Sequence, residues 1–411
     1  MTATASVESR TLTPGQARLL AFIAGATVAN LYYSQPLLPT IASGLRVSQT
    51  DASLLVTLTQ LSYGASLLFL VPAADITRRR TLFTILLSID TLAVAASAAA
   101  PNLAVLGGLA LILGITSVVI QMLVPFAATL AAPAERTKAI GTVLSGLLTG
   151  ILLSRTIAGV VAQFAGWRGV YAIAAVVMAA TTVILYKMVP DLPPEIDASY
   201  GTQLRQTFAL VRTQPILRWR SLIGFCGFGA FSAFWTTIAF LLSRPPYGFD
   251  QLEIGLFALA GTAGALVSAL AGKHIDARRA IRWPATGIVQ AVLLASFALI
   301  RLGGAHPFWL ALVLLVAGTL AMDAAVQLSN LLGQSVIYEL LPQARSRITA
   351  IYMTTMFIGG SIGSWAGAHA YDRWGWTGAC LAAAAFPVIG LLAWLGASRH
   401  ERARRDLPVQ N

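Results

Sequence analysis

Stretches of about 20 apolar residues, long enough to cross a hydrocarbon core of roughly 30 Å, recur from one end of this 411-residue chain to the other. Twelve are counted, at 17–39, 52–74, 81–100, 104–128, 139–164, 169–188, 220–243, 252–272, 282–302, 307–333, 346–370 and 377–396. A bilayer leaves no water to satisfy backbone groups, so only helices or closed barrels cross it. Barrel strands would alternate over segments of about 10 residues. Here the apolar character is continuous, and the spacing predicts an all-α polytopic membrane protein of twelve transmembrane helices. Only 11% of residues are charged, against about a quarter in soluble domains, so lipid has to cover most of the surface.

The net charge of +12 could point to nucleic acid, but the placement of the 28 basic residues argues otherwise. Alternating the spans puts 22 of them on the side that holds both tails and five on the other (Arg46, Arg168, Arg244, Arg301 and Arg373). Arg155 is left inside a span. Lys and Arg concentrate in cytoplasmic loops, which predicts a cytoplasmic membrane protein with both termini inside and no nucleic-acid partner. Glu8 and Arg10 precede the first span without a small-residue cleavage site, so that helix is expected to stay. Cys226 and Cys380 lie within spans and read as small buried hydrophobes.

The chain repeats itself. Ser48 and Asp51 match Asp250 and Glu253 at an offset of 202, each pair with the spacing of a capping box. Asp75 with Arg78, Arg79 and Arg80 matches Asp276 with Arg278 and Arg279. At an offset of 209, Pro133, Arg136 and Lys138 match Pro342, Arg345 and Arg347, and Gly166, Trp167 and Gly169 match Gly375, Trp376 and Gly378. Two pseudo-symmetric six-helix bundles of the same orientation follow. The expected divisions are a tail at 1–16, a bundle at 17–188, a linker at 189–219, helical around Tyr200 to Arg212, a bundle at 220–396 and a tail at 397–411.

With these landmarks the chain resembles the major facilitator superfamily over nearly its whole length. Asp75-Ile76-Thr77-Arg78-Arg79-Arg80 is similar to the signature loop of that family, with Val71 and Arg78 where its two glycines are usual. Gly272-Lys273-His274-Ile275-Asp276-Ala277-Arg278 keeps the first Gly and the Asp. Asn30-Leu31-Tyr32-Tyr33-Ser34-Gln35-Pro36-Leu37-Leu38-Pro39, and Gly359 to Ser364, resemble the bacterial sugar and drug efflux permeases. The resemblance implies a bacterial inner-membrane transporter, a monomer, working by alternating access and most simply a proton-coupled exporter. Proton-coupled import is the alternative. It also implies a gating latch formed by Asp75, Arg79 and Arg80 with Asp276 and Arg278; a plain positive-inside anchor is the bland alternative.

Ionisable groups inside spans cost about 2.5–3.5 kcal/mol on insertion scales and usually mark function. Asp90, Arg155 and Asp323 qualify. Gln327, Asn330 and Gln334 follow Asp323 at i+4, i+7 and i+11 on one helical face, a stripe that lines a wet cavity or bonds to another helix. The resemblance makes that helix a cavity helix. Gln121 falls at the related place in the first half, and Asn30, Tyr33 and Trp235 add polar or aromatic faces. The expected cavity lining is therefore Asn30, Tyr33, Gln121, Arg155, Trp235, Gln327 and Asn330, around a small amphipathic solute. Asp323 and Asp90 are the candidate proton carriers. Ser154-Arg155 stands where efflux members often have a Gly-Pro pair; Arg155 either binds an anionic group of the solute, neutralises a carboxylate, or forms a structural pair. Gly146, Gly150, Ser154 and Ala158 around it form a small-residue ridge. No spacing suits a metal, a cofactor or a phosphate loop, so an enzyme is not expected; a membrane enzyme or a non-transporting sensor is the competing class.

Overall fold

The fold is that of a computed structural model, which describes residues 12–190, 199–261, 281–304, 308–341 and 344–405, without the side chains of 75 and 398–405. Every regular element among the described residues is helical. Among the described residues, eight helical stretches are long and apolar enough to cross a membrane. Their outer faces carry side chains that only lipid can cover, such as Phe164 at 83% exposure and Val176 at 71%. This is a polytopic membrane protein.

The first expected span is two helices, α1 (Pro14–Ala29) and α2 (Ser34–Leu45). Thr13 and Gln16 form a capping box at the start of α1. Across residues 30–33 the chain tightens to i→i+3 hydrogen bonds, including Asn30 N–H to Thr27 O and Tyr32 N–H to Ala29 O. Pro36, in the first turn of α2, has no N–H to continue the ladder. Next come α3 (Gln49–Ile76), capped by Ser48, and α4 (Arg79–Ala98). The fourth expected span is also double, α5 (Leu103–Thr116) and α6 (Val119–Leu130). There the Thr116 hydroxyl lies 3.0 Å from Ile112 O, an i−4 contact of the kind that bends helices.

The fifth and sixth expected spans lie in α7 (Arg136–Met188), which is two helices joined at Gly166 with φ +65°. Helix α8 (Tyr200–Thr213) crosses between the halves, and α9 (Pro215–Leu242) follows. Helix α10 (Gln251–Phe257) starts on the expected capping box of Asp250 and Glu253, then leads through a 3₁₀ turn towards residues 262–280, outside the described residues. The remainder is α11 (Arg282–Gly303), α12 (Phe308–Ile337) and α13 (Arg345–Arg405). The last is again two helices, joined at Gly375 with φ +61°. Gly166 and Gly375 are related by the sequence repeat, and both adopt a left-handed conformation that a side chain would strain.

The small-residue ridge of α7 packs on α1, with Gly146 against the Ala21 backbone and Gly150 against Gly25. In the second half Gly359 and Gly363 of α13 meet Phe225 and Gly229 of α9 in the same way. The halves meet along α3 and α13, where Thr354 donates to Gly64 O at 2.8 Å and Ser361 to Thr57 O at 3.0 Å. On the other flank Thr156 of α7 donates to Gly255 O of α10 at 2.9 Å.

Candidate functional site

Between the halves lies a cavity of about 980 Å³, reaching from the middle of the fold to the ends of α4 and α13 that carry Arg79, Arg345 and Arg347. Gln203 and Gln206 of α8 border it at that end. The opposite side is shut by apolar packing of Leu38 and Ala42 of α2, Ala52 and Val56 of α3, Phe240 of α9 and Ala368 of α13. Outside that seal Arg244 donates to Gln49 Oε1 at 3.2 Å. The cavity is open at the basic end and closed at the other.

Three of the seven expected lining residues face the cavity: Gln121, Gln327 and Asn330. Gln121 Nε2 donates to the Tyr63 hydroxyl at 3.3 Å. Gln334 joins them, donating to Asn330 Oδ1 at 3.0 Å while its own Oε1 accepts from Tyr338 at 2.9 Å. The rest of the wall is mostly apolar, with Tyr32, Phe228, Phe231 and Met353 among its larger side chains. No carboxylate lines the cavity among the described residues.

Arg155, Trp235 and Asp323 come together just behind that wall. Trp235 Nε1 donates to Asp323 Oδ1 at 3.2 Å, while the Arg155 guanidinium lies 4.3 Å from the centre of a Trp235 ring. The indole thus touches both a buried cation and a buried carboxylate. Tyr32 and Phe231 lie under the same guanidinium at 5.1 and 5.4 Å, and both also line the cavity. Arg155 Nε donates to Gln35 Oε1 at 2.9 Å. The sequence reading missed Gln35 and Phe231 as partners of Arg155. The one signal available was Gln35 itself, a polar side chain within a predicted span.

Asn30 and Tyr33 belong to a different cluster. Asn30 donates to Asp90 Oδ2 at 2.5 Å, and Thr116 donates to Asp90 Oδ1 at 2.6 Å. Tyr33 donates to Asn30 Oδ1 at 3.0 Å. Asp90, fully buried, thereby ties the tightened turn of the first span to the end of α5. Asp90→Leu would strand the Asn30 amide in a dry interior, whereas the Thr116 hydroxyl can fall back on Ile112 O. It is expected to destabilise the protein by about 1–3 kcal/mol, read as a lowered thermal midpoint in detergent. A midpoint equal to wild type would show that these bonds contribute nothing.

At the basic end Arg79 donates to Thr129 at 3.5 Å and Arg80 stacks on Tyr186 at 4.3 Å. Asp276 and Arg278 lie outside the described residues, as does the side chain of Asp75.

A family model described as Major Facilitator Superfamily matches residues 20–337. YgaY, named an uncharacterized transporter of Escherichia coli O157:H7, is 42% identical over 395 residues, covering 95% of this chain and 98% of its own. SCO4007 of Streptomyces coelicolor, named a probable transporter, is 32% identical over 383 residues, covering 91% and 86%. Among solved structures, the nucleoside transporter NupG superposes with a TM-score of 0.73 at 16% identity, over 93% of this chain and 98% of that one. A bacterial homolog of the human lysosomal transporter Spinster, inward-facing and unoccupied, gives 0.68 at 14% identity, over 94% and 98%. At such identities the structures speak for the fold alone. Together with the family model and the two sequence relatives, the helical halves around one central cavity place this chain in the major facilitator superfamily, and it is a membrane transporter.

Proposed function

We propose that the protein is a proton-coupled secondary active transporter of the bacterial inner membrane, acting as a monomer and exporting small sugar-like or amphipathic solutes by alternating access. The observation that carries this reading is the cavity, open at its basic end and sealed at the other by a small apolar cluster. Because basic loops stay cytoplasmic, the opening faces the cytoplasm, both tails lie there, and the state is the loading state of an exporter. The bundles at 17–188 and 220–396 rock against each other on the 189–219 connector, and the loops of Asp75, Arg79 and Arg80 and of Asp276 and Arg278 close the basic end in the outward state. Asp323 and Asp90 are the groups that take up and release protons.

Import of a solute together with a proton is the second reading, favoured by the proximity of Arg155 to Asp323 beside Trp235. A solute anion drawn to Arg155 binds more readily when Asp323 is neutral, which couples the two movements in one direction.

Counterflow of sugars, amino acids and cationic dyes into vesicles holding the purified chain tests both readings. Saturable exchange that a pH gradient accelerates is expected, and the sign of the effective gradient separates export from import. Counterflow of every carried solute that ignores gradients of either sign overturns proton coupling.

A further inference from the structure

Arg155 is 4% exposed, yet its hydrogen bonding is incomplete. Its Nη2 is buried without a partner, and so is Nε2 of Gln35, the side chain to which Arg155 Nε donates. Two unmatched donor groups therefore lie on adjoining side chains, one of them cationic. A buried unmet donor is unfavourable, and more so on a charged group. Asp323 does not meet the need: its Oδ1 accepts from the Trp235 indole, and no hydrogen bond joins it to the guanidinium. What the pair lacks is an acceptor with negative charge.

We propose that Arg155 and Gln35 receive the carboxylate of an amphipathic organic anion whose apolar body fills the cavity. The inference rests on the transport reading but on neither its direction nor its coupling ion. A guanidinium presents its N–H groups in a planar fork that matches the two oxygens of a carboxylate, and an amide N–H beside it adds a third donor. The aromatic side chains Tyr32 and Phe231 belong both to the cavity wall and to the packing around Arg155, so these two rings are the partition between them. Phe228, Met353 and Met356 supply the surface for the apolar body. The charges along the route agree with this polarity: Arg345 and Arg347 border the cavity, and no carboxylate does among the described residues. Such a route concentrates anions and repels cations.

The test uses the full chain in detergent and three probes that share one body: 4-phenylbutyrate, 4-phenylbutanol and 4-phenylbutylamine. Protection against thermal unfolding is titrated for each. The acid is expected to bind more tightly than the alcohol and the alcohol more tightly than the amine. Arg155→Lys is expected to weaken the acid by about 10- to 100-fold, the worth of a charge-assisted contact. Gln35→Leu is expected to weaken it less and to leave the alcohol as in wild type. Equal protection by all three probes, preference for the amine, or no shift with the acid overturns the proposal. So does acid binding that survives Arg155→Lys and falls in Arg345→Gln or Arg347→Gln, which would put the anion at the mouth. If Arg155→Lys does not fold, the ranking of probes on the wild type and the Gln35→Leu titration still decide. These are equilibrium measurements without a gradient, so failure of the vesicle assay would sink the transport reading and leave this result standing.

Discussion

Asp323→Asn is expected to yield a protein that equilibrates its solute across the membrane and no longer accumulates it. Asparagine copies the shape and neutrality of a protonated carboxyl, and its amide oxygen can still accept from Trp235 Nε1, the bond that holds Asp323 at 3.2 Å. Folding should therefore survive while the proton cycle is lost. Each unit of pH gradient is worth about 1.4 kcal/mol per proton, or about a tenfold accumulation ratio at one proton per solute. In vesicles with an imposed gradient the wild type should approach that ratio and the variant should stay at equality. Counterflow without a gradient, which needs only the moving cavity, should persist in both. Undiminished accumulation by the variant would move the proton-carrying role elsewhere, with Asp90 the next candidate. That role would then lie in the cluster with Asn30 and Thr116, away from the cavity wall.

The apolar runs were legible because their length is a direct consequence of bilayer thickness, and the repeat was legible because both halves obey the same local rules. Gly166 and Gly375 illustrate this: the same left-handed turn recurs 209 residues later for the same conformational reason. The polar stripe of α12 was legible as a face and not as a depth. Gln327, Asn330 and Gln334 face the cavity, whereas Asp323, one turn further along, lies behind Trp235. Helical periodicity places residues around an axis; the point where a cavity ends depends on neighbouring helices. Asn30 and Tyr33 show a second limit. Their assignment to the cavity assumed a regular helix, and the i→i+3 turns at 30–33 change the facing of that segment, so both side chains join Asp90. The surroundings of Arg155 were out of reach for a third reason. Gln35 is 120 residues away in the chain and Phe231 and Trp235 come from the other half, so no local pattern links them.

Gly363→Val is expected to be among the most damaging substitutions that touch neither cavity nor charge. A Cβ at that position would lie 2.7 Å from the carbonyl carbon of Gly229 and 2.8 Å from its Cα, and backbone cannot swing aside as a side chain can. Helices α9 and α13 would have to separate, and that separation would spread along the contact from Phe225 to Ala233 that Gly359, Gly363 and Gly367 share. Overpacking of this kind costs about 1–3 kcal/mol, with the upper end expected here because backbone meets backbone. Gly108→Ala is the control: it lies in a helix of the same protein, exposed, with nothing within 4 Å of an added Cβ. There the substitution should be neutral or stabilising by about 0.5–1 kcal/mol, since alanine loses less backbone freedom in a helix. The two variants should thus shift the thermal midpoint in detergent in opposite directions. Gly150→Val in the first half meets Gly25 as Gly359→Val in the second meets Phe225, and the 209-residue repeat makes their costs comparable. A large loss from one and none from the other would mean that the two halves, alike in sequence landmarks, are held together by different contacts. The rocking of one bundle against the other would then have to be explained without that symmetry.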